Sequence, residues 1–148
     1  MIRRPAILTP QELTRLLKER GMKITPQRLE VYGAFSGAEE HPTATEIYER
    51  VKARMPTLSF ATIYQALNFF CRQGLLQTVD VGDGAMRYDV DTHPHAHFRC
   101  ERCGQVMNLD YAYHHHLDQD VAQKTGFLIH HHQTLFLGIC RDCQKNKP

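Results

Sequence analysis

Ser59-Phe60-Ala61-Thr62-Ile63-Tyr64-Gln65-Ala66-Leu67 runs on through Phe70 to Gly74, and is followed by Leu75 to Val81, Gly82-Asp83-Gly84 and Ala85 to Val90. Ser59 is a helix-capping residue, because its hydroxyl oxygen accepts a bond from one of the N–H groups that a helix start leaves without a partner. Ile63, Ala66, Leu67 and Phe70 recur at helical spacing and so share one apolar face, and Gly74 ends the run. The two apolar stretches beyond it are short and turn at Gly82-Asp83-Gly84, which predicts a two-strand ribbon. A helix feeding directly into a ribbon is half of a winged helix-turn-helix.

The upstream residues supply the other half. Thr43-Ala44-Thr45-Glu46 opens a helix that closes before Pro56. Thr25-Pro26-Gln27-Arg28 opens another, with Leu29, Val31, Tyr32 and Phe35 as its apolar residues and Gly37 at its end. Thr9-Pro10-Gln11-Glu12 opens the first, whose apolar stripe of Leu13, Leu16 and Leu17 stops at Gly21. In a winged helix, the helix ahead of the ribbon enters the major groove, where base edges carry a distinct donor and acceptor code. Ser59, Thr62, Tyr64 and Gln65 are therefore candidate base readers, and Arg15, Lys18, Arg28, Arg50 and Lys52 candidate phosphate contacts. The same pattern also fits a small helical core with no nucleic-acid role.

Composition bounds the class. A chain of 148 residues with 42% hydrophobic and 23% charged residues suits a soluble protein of one domain or two small ones. No stretch approaches the ~20 apolar residues of a membrane span, and the first residues lack the apolar run of a secretory signal, so a cytoplasmic protein without a membrane partner is expected. Of the 10 histidines, only His41 precedes residue 90. The chain changes character around residues 88–93, which predicts a winged-helix DNA-binding domain over 1–88 and a dimerisation and metal-binding domain over 89–148.

Cys100-Glu101-Arg102-Cys103 and Cys140-Arg141-Asp142-Cys143 are two C-x-x-C knuckles, the strongest signal in the chain. Two intervening residues let both sulfurs of a knuckle face one ion, and two knuckles complete a tetrahedral shell at about 2.3 Å per bond. A shell filled by protein leaves no open position for substrate, so structural Zn(II) is expected there. Cys71, inside the fourth helix, reads as a packed thiol.

His93-Pro94-His95-Ala96-His97 alternates, and in a strand alternate side chains share a face, so His95 and His97 are expected to reach one ion. With Asp89 just before them and His41 ahead of the third helix, they make an imidazole and carboxylate set of the kind that holds Fe(II), Mn(II), Ni(II) or Zn(II). Two histidines and one carboxylate also describe the open triad of a non-haem iron enzyme. A zinc-stabilised interaction module without DNA binding is a third class.

Thr25-Pro26-Gln27-Arg28, His41-Pro42-Thr43-Ala44, Ala61-Thr62-Ile63-Tyr64, Arg87-Tyr88-Asp89, His95-Ala96-His97 and the two knuckles together resemble the Fur family, over nearly the whole chain from Thr9 to Cys143. That resemblance implies an α+β fold, with a winged-helix domain followed by a small α/β dimerisation domain. It implies a homodimeric, metal-dependent repressor that binds a pseudopalindromic double-stranded operator and is not an enzyme. By position, Cys100, Cys103, Cys140 and Cys143 match its structural zinc site; His41, Asp89, His95 and His97 match its regulatory site; Tyr64 matches a base-contacting tyrosine.

The wording around His41, the Gly82-Asp83-Gly84 turn and Asp89 most resembles the peroxide-sensing PerR branch, which implies regulatory Fe(II) or Mn(II) and His41 and His95 as the imidazoles open to oxidation. Asn108 stands where that branch has a carboxylate ligand, a departure that keeps an iron-, zinc- or nickel-uptake regulator in play. His115 and His132 match half of an additional metal site, whose other positions hold Pro94 and Ala96.

Overall fold

The computed structural model describes residues 7–146. They form two compact units, one reaching to Thr92 and the other beginning at His93.

The first unit contains helices α1 (Pro10–Glu19), α2 (Pro26–Gly33), α3 (Ala44–Lys52) and α4 (Phe60–Arg72), then strands β1 (Gln77–Asp80) and β2 (Met86–Asp89). Thr9, Thr25, Thr43 and Ser59 each accept a bond from the N–H three residues on, and Glu12 and Glu46 return the favour to the backbone of Thr9 and Thr43. Such caps contribute about 1 kcal/mol each. Leu13, Leu17, Val31, Ile47, Ile63, Leu67 and Phe70 meet in a fully buried core, where the Tyr32 and Phe70 rings lie 5.2 Å apart.

Strands β1 and β2 pair antiparallel, with Gln77 opposite Asp89. Gly82 and Gly84 hold φ of +74° and +82° in the turn, conformations that favour glycine. Tyr88 N donates to Pro42 O at 3.0 Å and Thr43 bridges Arg87, so the ribbon is also tied to the segment ahead of α3. α3, α4 and the ribbon thus follow one another in the order expected of a winged helix-turn-helix.

Two boundaries differ from the sequence expectation by two residues or more. α2 ends at Gly33, not Gly37, because Arg50 Nη1 on α3 donates to Ala34 O and the Ser36 N–H donates to the Glu40 carboxylate, so the chain leaves the helix with these backbone groups satisfied. β1 starts at Gln77, not Leu75, because the Leu75 and Leu76 N–H groups both turn back to Phe70 O and close α4.

The second unit runs β3 (Ala96–Cys100), β4 (Val106–Leu109), α5 (His116–Thr125), β5 (Thr134–Gly138) and α6 (Arg141–Lys145). The sheet order is β4-β3-β5, antiparallel on the β4 side and parallel on the β5 side. A parallel pair needs a crossover, and α5 lies within that connection. α5 buries none of its residues, and Leu117, Val121, Phe127, Leu128, Phe136 and Leu137 are all exposed.

Candidate metal centres and DNA-reading face

The sulfur atoms of Cys100, Cys103, Cys140 and Cys143 lie within 4.8 Å of one another. Cys100 closes β3 and Cys140 caps α6, so the parallel pairing of β3 with β5 brings the knuckles together. The Cys140 N–H points at Cys100 Sγ at 3.3 Å and the Cys143 N–H at Cys140 Sγ at 3.5 Å. Arg102 Nη1 donates to Cys143 O at 2.6 Å and ties the first knuckle to the second. Backbone N–H groups of Cys103 and Cys140 bring the Cys100 thiol down to about 6, whereas the neighbouring Cys140 side chain pushes Cys143 up to about 12. Four clustered thiols cannot all ionise against one another; a divalent cation removes that conflict and takes all four as thiolates. The donor set suits a structural zinc ion.

The nitrogen and oxygen donors fall into two sets, one on each unit. In the first unit, His41 Nε2 lies 3.4 Å from Asp89 Oδ2, with both side chains buried. His41 is placed by the loop that caps α3, and Asp89 by the last residue of β2, whose register against that loop is held by Arg87 Nη1 donating to His41 O at 3.0 Å. Asp89 Oδ1 also accepts from Asp91 N at 2.8 Å.

In the second unit, the His95 and His97 rings are 4.3 Å apart. His95 sits just before β3 and not within it, so strand alternation does not place it; its Nδ1 instead meets His93 O at 2.7 Å. A backbone carbonyl there fixes the ring and the tautomer, as it does for many metal-bound histidines, and directs Nε2 to the ligand side. Asn108 faces His97 across the β3–β4 pair, and its Oδ1 lies 2.8 Å from His95 Nε2. The donors of the two sets suit Fe(II) or Mn(II).

Among the described residues, His115 and His132 join no third cluster of ligands. His132 Nδ1 is 2.7 Å from Asp118 Oδ1, its ring stacks on Tyr113 at 4.3 Å, and His115 meets the same tyrosine edge-on. Tyr113 and Asp118 escaped the sequence reading, since neither belongs to a spaced pattern.

On α4, Tyr64 and Gln65 are exposed and Thr62 is half-buried. Ser59 is the cap of α4, its Oγ 2.9 Å from Thr62 Oγ1. Arg15 and Lys18 lie exposed on α1 beside a shallow groove. Arg28 on α2 has its guanidinium 3.6 Å above the Phe69 ring. Arg50 Nη1 bonds Glu40 Oε1 at 2.8 Å as well as Ala34 O, and Glu40 raises its already high pKa.

The ferric uptake regulator family model matches residues 19–136. The peroxide operon regulator of Bacillus subtilis is 35% identical over 137 residues, covering 93% of this chain and 94% of that protein. The chain belongs to the ferric uptake regulator family. The Campylobacter jejuni peroxide stress regulator superposes with a TM-score of 0.63 at 31% identity, covering 89% of this chain and 99% of that one. A zinc uptake regulator in complex with zinc and DNA gives 0.71 at 27% identity, covering 93% and 97%.

Proposed function

We propose that this chain is a cytoplasmic, homodimeric, metal-dependent repressor that binds a pseudopalindromic operator and releases it on exposure to peroxide. The observation that carries the reading is the division of the donors: the His41 and Asp89 pair belongs to the unit that bears α4, and His95, His97 and Asn108 belong to the unit that bears the zinc knuckles. One regulatory ion that takes ligands from both sets stabilises only the arrangement that unites them. Metal and operator binding are then reciprocally coupled.

In functional terms the unit that reaches to Thr92 reads DNA and contributes His41 and Asp89 to the regulatory ion, and the unit that begins at His93 dimerises and holds the remaining ligands. Cys100, Cys103, Cys140 and Cys143 hold structural zinc, and Tyr64, Gln65 and Thr62 face the bases. Arg15, Lys18 and Arg28 contact phosphates, and Ser59 supports them as the α4 cap. The exposed Phe136, Leu137 and Leu128 supply an apolar surface for the second subunit. His41, Asp89, His95 and His97 would hold Fe(II), which when bound would supply reducing equivalents to hydrogen peroxide, and His41 and His95 are the imidazoles that would be oxidised, with loss of the grip on the ion. No turnover of an organic substrate is part of this function.

Two measurements test the reading. Elemental analysis is expected to find one tightly held zinc and one exchangeable ion per subunit. Operator binding is expected to require the exchangeable ion, with peroxide releasing the Fe(II) form and sparing the Mn(II) form; equal behaviour of both forms would overturn peroxide sensing. An iron-, zinc- or nickel-uptake regulator is the second reading, favoured by the neutral amide of Asn108 at His95, which weakens the attraction for Fe(II) relative to a carboxylate.

A further inference from the structure

Between the start of α2 and the outer face of α4 lies an open cleft of about 380 Å³, bordered by Gln27, Arg28, Thr62, Gln65 and Arg72, with Phe69 as its floor. Its border contains two guanidinium groups, two amides and hydroxyls, and no carboxylate. Arg28 is held there by two contacts, its guanidinium 3.6 Å above the Phe69 ring and Nη1 donating to Lys23 O. A planar guanidinium stacked on a buried ring is already ordered, so it loses little entropy when it takes up an oxyanion.

Arg72 is exposed in the last turn of α4 and makes no ion pair with a described carboxylate. A cation in that turn is favourable for the helix by itself, worth typically 0.3–1 kcal/mol. Helix stability does not explain why a second guanidinium lines the same acid-free cleft. The α2 N-terminus adds the partial positive charge of its first turn. Every charged feature therefore favours an anion, and the open shape suits a linear polyanion better than a small enclosed ligand.

We propose that this cleft seats one phosphodiester of the operator backbone, with Arg28 as the rigid contact and Arg72 as the second, and so sets the register of α4 in the groove. This rests on the DNA-binding reading above. Gln65 borders the cleft and stands next to Tyr64, so the phosphate seat adjoins the residues assigned to base edges.

The test uses full-length, metal-loaded protein and a duplex selected for wild-type binding, with affinity measured over a salt series. Each phosphate contact adds about 0.9 to the slope of log affinity against log salt. Arg72→Gln is expected to lower the magnitude of that slope by about 1, weaken all duplexes uniformly and leave base preference unchanged. An unchanged slope, or an altered base preference, overturns the proposal. Phe69→Leu keeps an apolar floor but removes the stack; it is expected to weaken binding at constant slope, and full affinity would overturn the role given to Arg28.

Neutral methylphosphonate linkages placed one at a time along the duplex provide an independent check. At one position per half-site, the linkage is expected to weaken the wild type more than Arg72→Gln, which keeps only the Arg28 contact; losses equal in the two proteins at every position overturn the seat. Failure of the wild type to bind any duplex would refute the DNA-binding reading, whereas wild-type binding with an indifferent Arg72→Gln would refute the cleft alone.

Discussion

The two units of this chain are built on opposite principles. The first buries aliphatic and aromatic side chains from all four helices and the ribbon, Leu13, Ile47, Phe70 and Tyr88 among them. The second, among its described residues, buries Ala96, Cys100, Cys140, His97 and Asn108, while α5 buries nothing and Phe127 and Leu128 stand 67% and 82% exposed. A core of side chains is self-sufficient in water. A unit whose interior consists of ligands and whose apolar residues face outward depends on an ion and on a partner surface.

Removal of the zinc shell should separate the two most sharply. Structural zinc in small domains is worth on the order of 10–16 kcal/mol at neutral pH. Cys100→Ser, or a strong chelator, is expected to expose the amides of β3, β4 and β5 to rapid hydrogen exchange while the amides of α1 to α4 stay protected; equal loss in both units would break the distinction. The converse is Phe70→Ala, which empties the centre of the first core and should cost about 3–5 kcal/mol of its stability. Zinc content is expected to survive that change.

A smaller effect probes the apolar exterior. Burying one large apolar side chain against a partner is worth about 1.5–3 kcal/mol, so Phe136→Asp should weaken self-association at least tenfold in sedimentation while leaving zinc bound. The smallest effect belongs to the ribbon. Arg87 donates to the Asp83 carboxylate at 2.7 Å and holds its pKa below the usual carboxylate range. A lowered folded-state pKa stabilises above the unfolded value and loses that contribution as pH falls through the folded one. The ribbon is therefore expected to loosen in acid by less than 1 kcal/mol, seen as faster exchange of the Ala85 amide, and Asp83→Asn should abolish the pH dependence.

Most of the architecture was legible before any coordinates. The threonine and serine caps, the apolar spacing of α1 to α4, the glycine turn of the ribbon and the paired knuckles each depend on residues within a few positions of one another. The sequence reading erred where a backbone group found a distant partner. Arg50 reaches Ala34 O across 16 positions, and α2 ends early. His95 and His97 come together as expected, while the carbonyl and the amide that hold the His95 ring belong to no strand pattern.

Residue identity and spacing alone determined the family, the fold class, the four zinc thiols and the candidate regulatory donors, since local periodicity and ligand geometry act over short stretches of chain. Only the folded chain decided which side chains meet: Asn108 on His95, Asp118 and Tyr113 on His132, Arg87 on His41, and Arg28 over Phe69. Those encounters join residues 13 to 46 positions apart. They follow from sheet register and helix packing, which arise when the elements bury their apolar faces together, and no short window of sequence contains them.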